Sequence, residues 1–243
     1  MKNLAKSSGF LKLGYSKDEN SIWLTNSYTL RKLIGVFGMA LPLLLYIFLL
    51  IDSGYYYPLH SISHYYFTRV ASIFIIIIST LGIFLIVYKG KEPIDFFISI
   101  ISGIFALLLV LFPTDNLQNI FVDIDSKNSV IVTVLSESGV RELFHYISAG
   151  IFLVGLAIMS IFLFTKSDKS PETRGKKKII RNRIFRTCGI TILVAISIIL
   201  AGTLKIIPEE FYEQYRLTFW MEVVAIESFG ISWLIKGNTF FKD

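Results

Sequence analysis

Six stretches of this chain are long and apolar enough to cross a bilayer, and no other feature constrains its fold as tightly. Crossing the hydrocarbon takes roughly 20 helical residues. Residues 32–51, 69–88, 96–113, 143–165, 188–206 and 217–235 each come close to that length. None shows the alternating polar pattern of a β-barrel strand. Only 17% of the 243 residues are charged and 53% are hydrophobic, whereas a soluble domain carries about a quarter charged residues. The expected fold is an all-α membrane protein, a six-transmembrane-helix bundle. A polar segment (1–31) precedes the membrane domain (32–237), and a short tail (238–243) follows it. The opening segment has no short apolar core with a cleavage site, so the first span is expected to serve as an uncleaved insertion signal.

Orientation follows from the basic residues. Nineteen of the 24 Lys and Arg fall before or at the start of span one, in the second and fourth connections, or after span six. The other side holds the remaining five, Arg69 and Lys205 at span ends and Lys127, Arg141 and Arg216 in connections, together with nine carboxylates. The positive-inside rule then predicts that both termini face the cytoplasm, and the expected location is the plasma (inner) membrane. The formal net charge of +6 is thus a topology signal and an attraction to anionic lipid, not a nucleic-acid interface. Tyr55, Tyr56, Tyr57, Tyr65 and Tyr66 beside spans one and two, and Tyr212, Tyr215 and Trp220 before span six, read as an outer aromatic belt. The lone cysteine, Cys188, excludes an internal disulfide and a cysteine-based zinc site. It reads as a buried cysteine or a juxtamembrane palmitoylation target.

The longest outer loop, residues 116–142, carries two β-rich runs, 121–125 and 130–135. Ser126, Lys127, Asn128 and Ser129 separate them, so a small extracytoplasmic β-hairpin is expected there. It would pack on the outer mouth of the bundle, because an isolated hairpin is marginal in water.

All three histidines, His60, His64 and His145, fall at the outer ends of spans two and four. Read as a helix, HSISHYYFTR puts His60, Ser61, His64, Thr68, Ser72, Ser79 and Gly82 on one face about 120° wide. A polar stripe on a spanning helix faces the bundle interior. Span three ends in Asp115, span four opens with His145 and Ser148, and span six contributes Glu222 and Glu227. A carboxylate at the membrane centre costs about 2.5–3.5 kcal/mol on insertion scales, so it has to be protonated, paired or hydrated.

Three roles compete for this cluster. In a zinc-dependent hydrolase, His60, His64 and His145 are the metal ligands and Asp115 or Glu222 completes the set or acts as base. Ser61, Ser63 or Ser148 then donates to the developing oxyanion. A serine nucleophile formed from Ser63 or Ser148, a histidine and Asp115 is the metal-free version. In a proton-coupled transporter or sensor, Glu227 exchanges the proton and the histidines titrate at the mouth. In a purely structural reading the polar groups pair across helices, each pair worth about 0.6 kcal/mol. The functional expectation is an outward-facing polar pocket that handles a lipid or other amphipathic molecule, with Asp115, Glu222, Ser63 and Ser148 as the catalytic candidates.

The strings SISHYYFTR, GIFALLLVLFPTD, HYISAGIF, RNRIFRTCGI and FGISWLIKG resemble those of uncharacterised bacterial multi-span membrane proteins over nearly all of residues 62–237. A looser resemblance is to the alkaline ceramidase-like superfamily of membrane hydrolases, which gathers a serine, an aspartate and three histidines around zinc. That resemblance implies Ser61 or Ser63, Asp115, His60, His64 and His145 as the equivalent set. In that superfamily an i, i+4 histidine pair lies in the last of seven spans. Here the pair opens span two, and the last span carries glutamates instead.

Overall fold

The structure is a computed structural model that describes residues 27–117, 130–167 and 175–240. Its elements in chain order are α1 (Ser27–Ser53), a 3-10 turn (Ser63–Phe67), α2 (Ala71–Val87), α3 (Pro93–Leu111) and α4 (Gly139–Ile158). The last of these runs on through one π turn (Met159–Leu163). There follow α5 (Lys176–Thr203), a short α6 (Glu209–Gln214) and α7 (Leu217–Lys236). Five helices are long and apolar enough to cross a membrane. Ala71–Val87, at 17 residues, is as apolar but shorter.

Local sequence explains the ends. Helix α1 stops at Gly54, whose φ of 71° is the left-handed conformation that closes a helix at little cost for glycine. Its N–H returns to Leu50 O at 2.9 Å. Helix α3 starts on a reciprocal cap between Glu92 and Asp95, with Pro93 in the first turn. Helix α4 starts on Ser138, whose hydroxyl accepts the Arg141 N–H at 3.4 Å.

The six long helices close into a ring. Helix α1 packs on α2 and α7, α2 on α3, α3 on α4, α4 on α5, and α5 on α7. Trp233, Phe74, Phe164, Phe185, Phe229, Leu41 and Leu45 fill the inside. Leu43, Ile76, Ile83, Phe97, Ile190 and Val194 point outward and stay exposed, as lipid-facing side chains do. Small residues set the closest crossing. A Cβ on Gly82 would sit 3.0 Å from Gly103 O, and one on Gly103 would sit 2.5 Å from Gly82 O. In lipid, such backbone approach supplies the packing that apolar burial supplies in water.

Two expectations are corrected. The helix read through HSISHYYFTR is absent: residues 59–70 form a turn, and α2 begins only at Ala71. Ser61 and Thr68 capture the local backbone, through His64 N–H to Ser61 Oγ at 3.2 Å and Thr68 Oγ1 to Tyr65 O at 2.8 Å. Hydroxyls that offer such bonds compete with helix. The hairpin is not formed by its second run either. Residues 130–135 pair with the turn instead, through an antiparallel bridge between Thr68 and Ile131. Val132 and Thr133 donate to Phe67 O at 2.9 and 3.2 Å. The first run, 121–125, lies outside the described residues, and no strand occurs among those described.

Substitution of Gly103 by Val should cost about 1–3 kcal/mol through overpacking. Gly150→Ala, where nothing lies within 4 Å of the new Cβ, should be neutral or stabilising. Thermal unfolding in detergent checks both; equal effects would contradict the close crossing.

Candidate functional site

The C-terminal end of α3 and the N-terminal ends of α4 and α7 meet beneath the turn that leads into α2. Ile62 N–H donates to Glu222 Oε2 at 2.5 Å, which ties the turn to α7. Above that tie the turn presents Ser61, Ser63 and His64, all buried, and α4 presents the buried His145.

Two serine–histidine pairs result. Ser63 Oγ lies 3.1 Å from His145 Nε2, and His145 Nδ1 lies 2.8 Å from Phe112 O. A carbonyl oxygen only accepts, so Nδ1 carries the proton. In the neutral ring Nε2 then holds the lone pair that accepts the Ser63 O–H. Helix α3 ends at Leu111, and this frees the Phe112 carbonyl for His145. In the second pair, Ser61 Oγ lies 2.7 Å from His64 Nδ1. The other ring nitrogen, Nε2, faces Asp115 Oδ1 at 3.8 Å.

Asp115 collects the surrounding donors. Thr114 Oγ1 and the Tyr146 hydroxyl reach its Oδ1 at 2.6 and 2.8 Å. Burial pushes this carboxyl up, but the pull of His64, Thr114 and Tyr146 outweighs it and holds Asp115 well below the usual carboxylate range. It is ionised at neutral pH. Beside it opens a cleft of about 390 Å³, lined by Asp115, Asn116, Glu137, Ser138, Glu142 and Tyr146. The cleft puts the cluster in reach of the molecular surface.

His60 stands apart. Its Nδ1 lies 2.7 Å from Glu213 Oε2, and the Arg216 guanidinium touches the ring. Burial, then the Arg216 charge, holds its pKa below the usual 6.5, against the upward pull of Glu213. The ring centroids of His60 and His64 are 5.9 Å apart. Among the described residues no three His, Cys, Asp or Glu side chains are grouped to hold a metal ion. The expected zinc ligands do not fit one: a guanidinium occupies the side of His60, and both His145 nitrogens have partners.

The other candidates separate as well. Ser148 is fully buried and its hydroxyl donates to Phe144 O of its own helix at 2.7 Å. Glu222 acts as the acceptor for Ile62. Glu227, half-buried, shares a face of α7 with the exposed Trp220, Val224 and Ile231, and no described residue pairs with it. Sequence reasoning missed the Phe112 carbonyl, Thr114, Tyr146, Glu213 and Arg216. Tyr146, adjacent to His145, was the one with a local signal.

The chain matches no known protein family, and no curated protein or solved structure is similar to it.

Two predictions follow from the geometry. Glu222→Leu strands the Ile62 N–H and should cost about 1–3 kcal/mol in detergent unfolding, whereas Glu222→Gln keeps an acceptor oxygen and most of the stability. For His60, the unfolded ring titrates near 6.5 and the folded ring below it, so the unfolded state binds more protons in that window. His60 therefore favours the fold above 6.5, and the contribution fades as pH falls from there. Protection of Glu209–Gln214 against hydrogen exchange, taken relative to the intrinsic rate at each pH, should fall on acidification below 6.5, and His60→Gln should remove that dependence.

Proposed function

We propose that this protein is a plasma-membrane hydrolase that cleaves an ester or amide bond in a lipid or other amphipathic substrate at its outer face. The observation that carries the proposal is the chain Ser63 Oγ, His145 Nε2, His145 Nδ1, Phe112 O. It has the three parts of an activated nucleophile: the hydroxyl, a base within hydrogen-bond reach, and a group that orients the base. Ser63 Oγ attacks the substrate carbonyl while His145 Nε2 takes its proton. The tetrahedral intermediate collapses, and His145 returns the proton to the departing alcohol or amine. Water, deprotonated by the same ring, then attacks the acyl carbon, and His145 returns that proton to Ser63 Oγ as the acid departs. His64 and the ionised Asp115 flank the nucleophile and orient the polar part of the substrate from the cleft. Hydrolysis is also the reaction class that the resemblance to alkaline ceramidase-like enzymes implies, here without a metal-dependent step.

The topology proposed with it is six spans with both termini in the cytoplasm. Helix α2, about 26 Å long at 1.5 Å per residue, would cross as the sixth span, since it occupies its own place in the ring. A second reading, a proton-coupled transporter or sensor, draws on Glu227, which no described residue neutralises. In that case Glu227→Gln would abolish proton flux into liposomes; unchanged flux removes it.

A fluorophosphonate ester probe offered to the purified protein in detergent should label Ser63. Ser63→Ala should abolish labelling, and His145→Asn should slow it by about 10²–10⁴-fold. Absence of label on the wild type, or label persisting in Ser63→Ala, would contradict the proposal.

A further inference from the structure

At the opposite end of the ring, basic side chains meet buried donors that have nothing to donate to. Arg31 on α1 and Lys236 at the end of α7 stand over an aromatic floor. The Arg31 guanidinium carbon is 5.6 Å from the Tyr88 ring centroid, and Lys236 Nζ is 5.1 Å from that of Phe164. Tyr88 and Phe164 each pack edge-on against Trp233, at 4.9 and 5.0 Å between centroids. Arg31 Nη1 reaches the backbone carbonyl of Lys236 at 3.5 Å, which brings the two residues together. Cations at a helix C-terminus are favourable in themselves, and that contact is one such case.

The macrodipole does not account for what remains. Trp233 is 0% exposed and its indole N–H has no partner. Arg31 Nε and Thr239 Oγ1 are buried without partners as well. Leaving buried donors unmade costs about 1–3 kcal/mol each. Neither Arg31 nor Lys236 pairs with a described carboxylate. The nearby acids are engaged elsewhere: Lys166 Nζ binds Asp95 at 2.5 Å and Glu92 at 2.7 Å, and Asp95 also accepts the Lys91 and Glu92 N–H groups. Among the described residues, the orphaned buried acceptors at this end are Asn182 Oδ1 and the hydroxyl oxygen of Thr239.

We infer that Arg31, Lys236, Trp233 and Thr239 form a binding site for a phosphate group at the end of the bundle opposite the histidines. Its tetrahedral oxygens are acceptors only. They can accept from guanidinium, ammonium, indole N–H and hydroxyl alike, and their charge offsets that of the two cations. The phosphate comes either from a lipid headgroup or from a soluble phosphate compound. The site is independent of the hydrolase reading, since it shares no residue with it.

The test uses the full chain with Trp23→Phe and Trp220→Phe, which leaves Trp233 as the single tryptophan. It is reconstituted in phosphatidylcholine nanodiscs and titrated with inorganic phosphate. In parallel, nanodiscs are prepared with increasing phosphatidylglycerol. Trp233 emission should change saturably in at least one series. A response to inorganic phosphate assigns a soluble ligand, and a response to phosphatidylglycerol alone assigns a headgroup. Sodium chloride at equal ionic strength should not reproduce either. Arg31→Gln and Lys236→Gln should each weaken the response about tenfold or more. A second readout needs no variant at Lys236: the active probe should slow acylation of Lys236 by an amine-reactive ester, measured by mass spectrometry. No emission change in both series, or equal Lys236 acylation with and without the probe, would overturn the site.

Discussion

Between Gly54 and Val70 the chain forms no α-helix, and every buried backbone group there has to find a partner outside one. Unmet backbone groups at the edge of a membrane are expensive. Two of the solutions this chain uses bring a distant residue to the same place, and a third is local. Ile62 N–H goes to Glu222 on α7, the Phe67 carbonyl takes Val132 and Thr133, and His64 N–H goes to Ser61. The polar turn is therefore pinned to α7 and to the chain leading into α4. Ser63 meets His145 because that pinning fixes where the turn lies.

The ring gives the two ends different chemistries. One end gathers histidines, hydroxyls and an ionised aspartate beside an open cleft; the other gathers cations over packed aromatics. Apolar walls between them have no polar function to perform, apart from Glu227. That residue sits among Trp220, Val224 and Ile231 on the outward face of α7, where its carboxyl costs most.

The bundle was legible because apolar length is a strong signal. The expected spans at 143–165 and 217–235 overlap the helices closely, whereas α5 starts at Lys176, 12 residues before the expected span at 188–206. Span two shows where that signal stops. Its apolar run was correct, but the polar HSISHYYFTR was read onto the same helix, because periodicity cannot tell a hydroxyl that faces outward from one that captures its own backbone. The hairpin failed for a related reason: the β-rich run 130–135 found its partner in Phe67 and Thr68, about 65 residues earlier. Histidine placement at one depth was legible; pairing was not. Ser63 with His145 spans 82 residues and depends on a free carbonyl at Phe112, and His60 with Glu213 spans 153. Only the folded ring brings these together.

The central claim is that His145 is held by Phe112 O on one side and receives the Ser63 proton on the other. Nitrogen-15 spectroscopy of labelled histidine in the reconstituted protein reads this directly. At neutral pH, His145 should show a protonated Nδ1 and an unprotonated Nε2, and Ser63→Ala should move only the Nε2 resonance. A ring with its proton on Nε2, or one that ignores the loss of Ser63, would contradict the account.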